Sequence, residues 1–541
     1  MMEPAQSPLL KGLEENLSNM TTTENGALAY KRSGNELVDA FERIGGSRQD
    51  PEAFWSIFLA AYYTDALKAL KILFYGRNPR GGMGERQLFR HTISNMASNA
   101  DPQLVEHLIM NLGNISLLGR WDDLLCLIDE KRQIDDHGPT VGKMVMDYLG
   151  YSLSRDLGID PEHRNSPISL LAKWLPSDNT SSRKTRALAS KLKKQWGMSS
   201  TEYRGILKKL RQQLGDAVVE TKMSRKKFET IDFSKVCSKA MLTYSKSFLK
   251  HDLERYEAWQ LDVAEGKSKV NASVLYPYEI VRSAHQVDLI REESALAESE
   301  ILSLDNQWNA LPDYLTAEDG SKTNALAVID VSSSMHQIVS GKTTAMNVAI
   351  SLGIYIAQRC SNAFQGSFMT FASNPSLVQL EGDNIVDIIH NVAGADWGGS
   401  TNLIASFELI LKVAKEKQLD QKDLPEWIFI PSDCEFDYQV RISDEDHEMT
   451  PHQTIARKFT EAGYVIPKLV YWNLCSRQQQ VPMSHNDYGM MVSGFSPAIL
   501  KAVFAAKEIT PTDVMEAAIN DPVYDCIKID TNVVQDEPRQ L

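Results

Sequence analysis

Cysteine is sparse in this sequence and badly placed for cross-linking. The six cysteines, Cys126, Cys237, Cys360, Cys434, Cys475 and Cys526, are scattered through 541 residues, with no C-x-x-C pair and no histidines at zinc spacing. Neither a disulfide framework nor a zinc site is expected, and a reducing, cytoplasmic setting fits such usage. Apolar runs are short: nothing approaches the roughly 18 uninterrupted residues of a membrane span, so no membrane partner is expected. The opening stretch, MMEPAQSPLLKGLEENLSNMTTTENGALAY, lacks the basic start, apolar middle and small-residue cleavage site of a signal peptide. Residues 1–34 are expected to form a flexible polar lead-in. Catalytic signatures are missing too. The eleven histidines include no H-E-x-x-H pattern and no Cys/His pair in a catalytic setting, and there is no G-x-S-x-G elbow. The chain is expected not to be an enzyme.

What is present is an ordinary globular composition, 43% hydrophobic and 24% charged, in a chain long enough for about two to four domains. The net charge of -14 favours solubility and argues against a surface coated all over with nucleic acid. A total can hide opposed patches, and here it does.

From about residue 35 to about residue 300 apolar residues recur at helical spacing, as in DPEAFWSIFLAAYYTDALKALKILFYG. Turn signals interrupt them at RNPRGGMGER, 77 to 86, and LPSDNTSS, 175 to 182. A HEAT-like helical-repeat domain of stacked antiparallel helix pairs is expected over 35–320, although no strict period occurs. The sequence turns polar between Leu304 and Thr323, which places a boundary near 320. Residues 321–541 then alternate between strand and helix: NALAVIDV, TTAMNVAISLGIYIAQR, GSFMTFA, FELILKVAKEK, PEWIFIPSD, HQTIARKFTEAG, IPKLVYWNL and GMMVSGFS. This pattern predicts a doubly wound, Rossmann-like α/β domain.

The first of these strands ends in Asp330-Val331-Ser332-Ser333-Ser334. In an open parallel sheet, ligands bind beyond the carboxyl ends of the strands where strand order reverses. A hard divalent ion takes oxygen ligands, and Ser332 and Ser334, alternating along an extended loop, would present their hydroxyls together beside Asp330. Two later segments carry similar donors: Thr401 after the Gly-Gly turn of WGGSTNL, and Asp433 at the end of WIFIPSD. By itself D-x-S-x-S is a common turn-forming pattern; three such segments in order, on the right elements, are specific.

Together they resemble the metal-ion-dependent adhesion site of von Willebrand factor A domains. The resemblance implies that Asp330, Ser332, Ser334, Thr401 and Asp433 hold Mg²⁺, or another divalent cation such as Mn²⁺. One coordination position would remain for an acidic group of a protein partner. Ser333 stands where that family most often has Gly, and Pro431-Ser432-Asp433-Cys434 replaces its frequent Thr-Asp-Gly.

Other motifs read as structural. Gly341-Lys342-Thr343-Thr344 ends like a phosphate loop, but His336 stands where the first Gly is needed, so it is read as helix-start chemistry. Arg80 to Arg86, RGGMGER, lies between helices rather than after a strand, and is read as a tight turn with Glu85 and Arg86 paired.

A basic stretch runs through Arg183, Lys184, Arg186, Lys191, Lys193, Lys194, Arg204, Lys208, Lys209, Arg211, Lys222, Arg225, Lys226 and Lys227, opposed by Glu202, Asp216 and Glu220. It has the footprint of a phosphate-binding surface, with Trp196 and Tyr203 nearby for base stacking. A solvated helix face, or a surface docked on acidic residues such as Asp444, Glu445, Asp446 and Glu448, is the competing reading, and the sequence leaves both open.

Helices followed by an A domain resemble the TROVE family of Ro autoantigen-like proteins. RGGMGER at 80–86, GRWDDLL at 119–125, LLAKWLPS at 170–177, EYRGILKKLR at 202–211 and YPYEIV at 276–281 are similar to a branch of TROVE-like proteins. The resemblance implies a scaffold that binds small noncoding or structured RNA. A metal-dependent protein adaptor is the alternative, and service to a separate ATPase a third. The sequence is silent on oligomeric state.

Overall fold

The computed structural model describes residues 19–133, 138–158, 167–294, 296–317, 319–361, 363–371, 374–394, 402–437, 449–476 and 480–529. The chain forms two compact units that are interleaved along the sequence. One comprises the chain up to Thr64, Gly81–Met83 and Ala272–Ile519; the other comprises Asp65–Arg80, Gly84–Asn271 and the chain from Asn520 onwards.

The first unit is built on a mixed six-stranded sheet. Its strands, in chain order after an N-terminal hairpin of β1 (Met20–Thr22) and β2 (Leu28–Tyr30), are β3 (Ala325–Asp330), β6 (Ser367–Phe371), β7 (Ser376–Gln379), β8 (Trp427–Ser432), β9 (Lys468–Asn473) and β10 (Met490–Ser493). A small ribbon of β4 (Ile338–Ser340) and β5 (Thr343–Thr344) lies between β3 and β6. The spatial order is β10-β9-β8-β3-β6-β7, parallel throughout except for the antiparallel edge strand β7. From β3 the chain winds out to β6 and β7, then returns to β8 on the other side of β3, so the strand order reverses between β3 and β8.

Central strands ALAVID and WIFIPS are buried along their whole length, the continuous apolar signature of a sheet covered on both faces. The helix Ala345–Arg359 covers β3, with Gly353 allowing close approach: a Cβ there would stand 3.2 Å from Ile329 Cγ2. The helices Glu36–Arg43, Pro51–Thr64, Pro277–Asp288 and Ala297–Asn309, which belong to the sequence's long helical stretch, also lie in this unit. Glu36–Arg43 starts at Asn35, whose side chain accepts from the Leu37 and Val38 N–H groups, and it packs on β10.

Residues 19–34 are not the flexible lead-in expected from their polarity. They form the β1–β2 hairpin, closed by a turn in which the Gly26 N–H donates to the Thr23 carbonyl at 3.0 Å. The hairpin is fastened further along the chain. Thr23 Oγ1 donates to the Phe436 carbonyl at 2.6 Å, and Tyr30 and Val481 form an antiparallel bridge.

The second unit is helical, with Ala66–Arg77, Gln87–Ser98, Pro102–Met110, Val141–Asp156, Arg183–Gln195, Ser200–Gln213, Ser238–His251 and Leu253–Ala264 as its longer helices. Its C-terminal segment returns to it: the Asn78 amide donates to the Tyr524 hydroxyl at 3.0 Å, and the Lys528 N–H donates to Asn111 Oδ1 at 3.0 Å.

Candidate functional site

Asp330 ends β3 and Ser432 ends β8, the two neighbours between which strand order reverses. Asp330 is fully buried. Its Oδ1 accepts from the Ser332 N–H at 2.9 Å, and its Oδ2 accepts from the Ser432 hydroxyl at 2.5 Å. After Ser332 the chain enters a 3-10 turn, Ser333–His336, rather than the extended loop expected. The expected convergence nevertheless occurs: the Ser332 and Ser334 hydroxyls meet at 2.9 Å, while Ser333 points to solvent.

Asp433 is buried beside this group and interacts electrostatically with Asp330. Burial first, and then the charge of Asp433, push the Asp330 carboxyl well above the usual carboxylate range, against the hydrogen bonds from Ser432 and Ser332. Cys434, where the resemblance would favour Gly, takes a left-handed backbone with φ of 59°. Such a conformation costs an L-residue roughly 1–2 kcal/mol, which is why Gly suits the position. Beyond it, Glu435 is enclosed, accepting from the Glu24 N–H at 2.7 Å and from the Gln480 amide at 2.6 Å. Thr401 lies outside the described residues, as do Asp444, Glu445, Asp446 and Glu448.

The donor set suits a hard cation: two carboxylates and two facing hydroxyls, all oxygen, at one end of a rigid sheet. Among the described residues no group of three or more His, Cys, Asp or Glu gathers as a metal centre, so this arrangement depends on its serines. Sequence reasoning missed Ser432. Its hydroxyl donates to Asp330 and accepts from the Cys434 N–H at 2.9 Å, tying β3 to the turn after β8. The GKTT segment is helix-start chemistry: Thr344 caps Ala345–Arg359 through a reciprocal capping box with Asn347.

The basic stretch divides in two when its partners are traced. Lys193 and Arg204 both bind Asp178, at 2.8 and 2.6 Å, and hold its carboxyl down at about 2. Lys191 pairs with Asp129, and Lys222 with Asp216 at 2.5 Å. Arg186 donates to the Thr180 and Ser181 carbonyls, and Arg211 donates to Ala172, Leu175 and Ser177. The side chains of Arg183, Lys184, Lys194, Lys208, Lys209, Arg225, Lys226 and Lys227 are exposed and have no partner among the described residues.

The two aromatics are not free stacking platforms. Tyr203 is fully buried with its hydroxyl donating to the Pro176 carbonyl, and Trp196 donates to the Met146 carbonyl at 2.9 Å. Both rings serve to seat the basic helices.

The profile of a family described as "Domain of unknown function (DUF2828)" matches residues 23–126 and 135–320. The chain belongs to the DUF2828 family. A second profile, "Domain of unknown function (DUF7788)", matches residues 324–534 and so takes in the sheet and Asp330, Ser432 and Asp433. An uncharacterised protein of Acanthamoeba polyphaga mimivirus is 31% identical over 551 residues, covering 96% of this chain and 92% of its own. The crystal structure of the Ro (RSR) protein of Deinococcus radiodurans aligns with 87% of this chain and 92% of its own, at 13% identity and a TM-score of 0.33. At that score neither fold detail nor function carries over. Among the described residues, no helix of this DUF2828 chain is long and apolar enough to cross a membrane.

Several of the helical segments singled out in the sequence are joints of the DUF2828 region. Asp123 of GRWDDLL is fully buried; it accepts from Arg77 Nε and Arg90 Nε, each at 2.7 Å, and from the Arg120 N–H at 2.9 Å. The Arg120 guanidinium lies 4.2 Å over the ring of Trp174, from LLAKWLPS. Arg86 of RGGMGER stands near Arg120 and Arg90, and burial with those like charges lowers its pKa.

Proposed function

We propose that this chain is a non-catalytic RNA-binding scaffold whose α/β unit holds a divalent cation. The observation that carries the RNA reading is the set of exposed cations without partners among the described residues, Arg183, Lys184, Lys194, Lys208, Lys209 and Arg225 to Lys227, in a chain of net charge -14. Cations already satisfied by carboxylates gain little from phosphate; unpaired ones release the counterions of a nucleic acid on binding. The resemblance of the helical segments to TROVE-like proteins points the same way, toward small noncoding or structured RNA and a HEAT-like stack of helices. With Tyr203 buried and the half-buried Trp196 tied to the Met146 carbonyl, phosphate contact rather than base stacking carries the affinity.

The cation site is part of the same proposal. Asp330, Ser332, Ser334 and Asp433, with Thr401 from the resemblance, would hold Mg²⁺ or Mn²⁺, and the strand order of the sheet agrees with an A-domain reading. A bound cation would offer a coordination position to an acidic group from a partner. Asp330 and Asp433 supply the negative charge, Ser332 and Ser334 turn their hydroxyls to the same point, and Ser432 fixes the Asp330 carboxylate. That geometry also favours a second reading, a metal-dependent protein adaptor without RNA.

The two are separated by filter retention of structured and single-stranded RNA on the purified protein, in Mg²⁺ and in EDTA, beside a pull-down of acidic protein partners. Salt-sensitive RNA retention supports the scaffold. No retention at low salt, with a nuclease-insensitive and EDTA-sensitive protein pull-down, replaces it with the adaptor.

A further inference from the structure

A polar cleft of about 420 Å³ opens in the sheet-bearing unit, away from Asp330. It is lined by Asn309, Gln358, Arg359, Gln365, Leu380 and Ile388, among others. Gly366, also in its wall, immediately precedes β6, while the far end of that strand, Phe371, is the residue paired with Asp330. A strand rises about 3.3 Å per residue, so roughly 16 Å of sheet separates the cleft from the candidate metal site.

Arg359, the last residue of the helix Ala345–Arg359, dominates the lining. Its guanidinium lies 4.4 Å from the centroid of Tyr355 and 5.5 Å from that of Trp308, and it donates to the Trp308 carbonyl at 3.0 Å. No carboxylate pairs with it among the described residues. Asp313, the carboxylate that acts on it electrostatically, accepts instead from the Leu315 and Thr316 N–H groups and the Thr316 hydroxyl. A guanidinium carries five N–H donors, so most of its capacity is unused. Burial of the charge lowers its pKa; an anion would relieve that cost.

The neighbouring amides add donors rather than charge. Gln358 accepts from the Trp308 indole at 2.6 Å through Oε1, which leaves its NH₂ unengaged among the described residues. Gln365 is exposed and has no partner among them. Leu380 and Ile388 supply an apolar wall. A cleft of this volume, with one unpaired arginine held rigid on two aromatic rings and amide donors beside it, is organised for an oxyanion on a small molecule.

We infer that this cleft is a second binding site, for a small ligand bearing a phosphate or carboxylate group that Arg359 receives with help from Gln358 and Gln365. The site is independent of the cation and of RNA.

The test is calorimetric titration of the full-length protein with inorganic phosphate and, separately, with succinate, at constant ionic strength in chloride. Saturable binding of either is expected, and which of the two binds tells phosphate from carboxylate. Gln365→Glu, a change at an exposed side chain without partners, should weaken it at least tenfold, and Gln365→Lys should strengthen it. Arg359→Gln should abolish it; because Arg359 also packs on two rings, the Gln365 pair carries the test if that variant unfolds. Absence of saturable binding of both anions, or binding unmoved by Gln365→Glu and Gln365→Lys, would overturn the assignment.

Discussion

Glu42 is fully enclosed in the sheet-bearing unit, and burial pushes its carboxyl up to about 7 against the opposing influence of Arg43 and the amide of Asn473. A carboxyl whose folded pKa lies above its unfolded value favours folding only while protonated. Its contribution is complete below about 4.5 and is lost as pH rises through about 7, amounting to roughly 3 kcal/mol at most. Glu42→Gln, which keeps the acceptor for Asn473, is therefore expected to stabilise the protein by about 1–3 kcal/mol at pH 8 and to change little at pH 4.5. Urea melts at the two pH values check this, and an equal effect at both would contradict it. Asp123 is a buried carboxyl group held by Arg77 and Arg90. Asp123→Asn removes the buried carboxylate that Arg77 and Arg90 share, although Arg90 keeps Asp122, and should cost about 3–5 kcal/mol in a urea melt; a loss under about 1 kcal/mol would contradict it.

At this scale the sequence was legible where chemistry follows local spacing. Asp330, Ser332 and Ser334 announce themselves because two-residue spacing around a turn is a linear property. Ser432 does not, since its role is a bond between strands about a hundred residues apart in sequence. Which members of the basic stretch have local partners was not legible for a related reason. Asp178, which occupies Lys193 and Arg204, lies before the stretch, where no count of local charge would include it.

Elements followed their patterns where apolar periodicity was long. The five parallel strands and three of the helices between them fall on the segments the alternation indicated, whereas the helix Ile385–Ala393 was not read from the sequence. The edge strand β7 escaped notice because it has four residues and only one of them, Val378, is buried. The N-terminal hairpin was hidden by polar composition, although Asn25-Gly26 between threonines and an Ala-Leu-Ala run is a hairpin signal with a physical basis. Helix packing holds the basic surface in place. A Cβ on Gly150, in the helix Val141–Asp156, would stand 2.7 Å from the Trp196 Nε1 that donates to Met146. Gly150→Ala should displace that indole and destabilise the protein by about 1–3 kcal/mol, despite Ala being the better helix former. An increased melting temperature would show that the indole has room to move.

The molecule as a whole was the least legible level. The change of pattern near residue 320 is a change of secondary structure, whereas the compact units depend on which helices join the sheet: from the helical side of that change Glu36–Arg43 packs on β10, Pro51–Thr64 packs on Glu36–Arg43, and Pro277–Asp288 packs on the helix Ala345–Arg359. Apolar faces reveal that a helix is buried, not what buries it. The proposed cation site is tested on the folded molecule: if it holds Mg²⁺, the ion at 100 times its dissociation constant should stabilise the wild type by about 2.7 kcal/mol. Asp330→Asn should abolish that gain, and a melting temperature indifferent to Mg²⁺ in the wild type would count against the site.

The central claim, that the exposed cations meet RNA phosphates, is tested most directly by the salt dependence of RNA retention for the wild type and for a variant carrying Lys194→Glu, Lys208→Glu and Lys209→Glu. Each phosphate contact contributes about -0.7 to -0.9 to the slope of log K against log salt. The account predicts a steep negative slope for the wild type and, with the fold intact by circular dichroism, a slope shallower by about 2 and much weaker retention for the variant. Equal retention and equal slopes for the two proteins would contradict it.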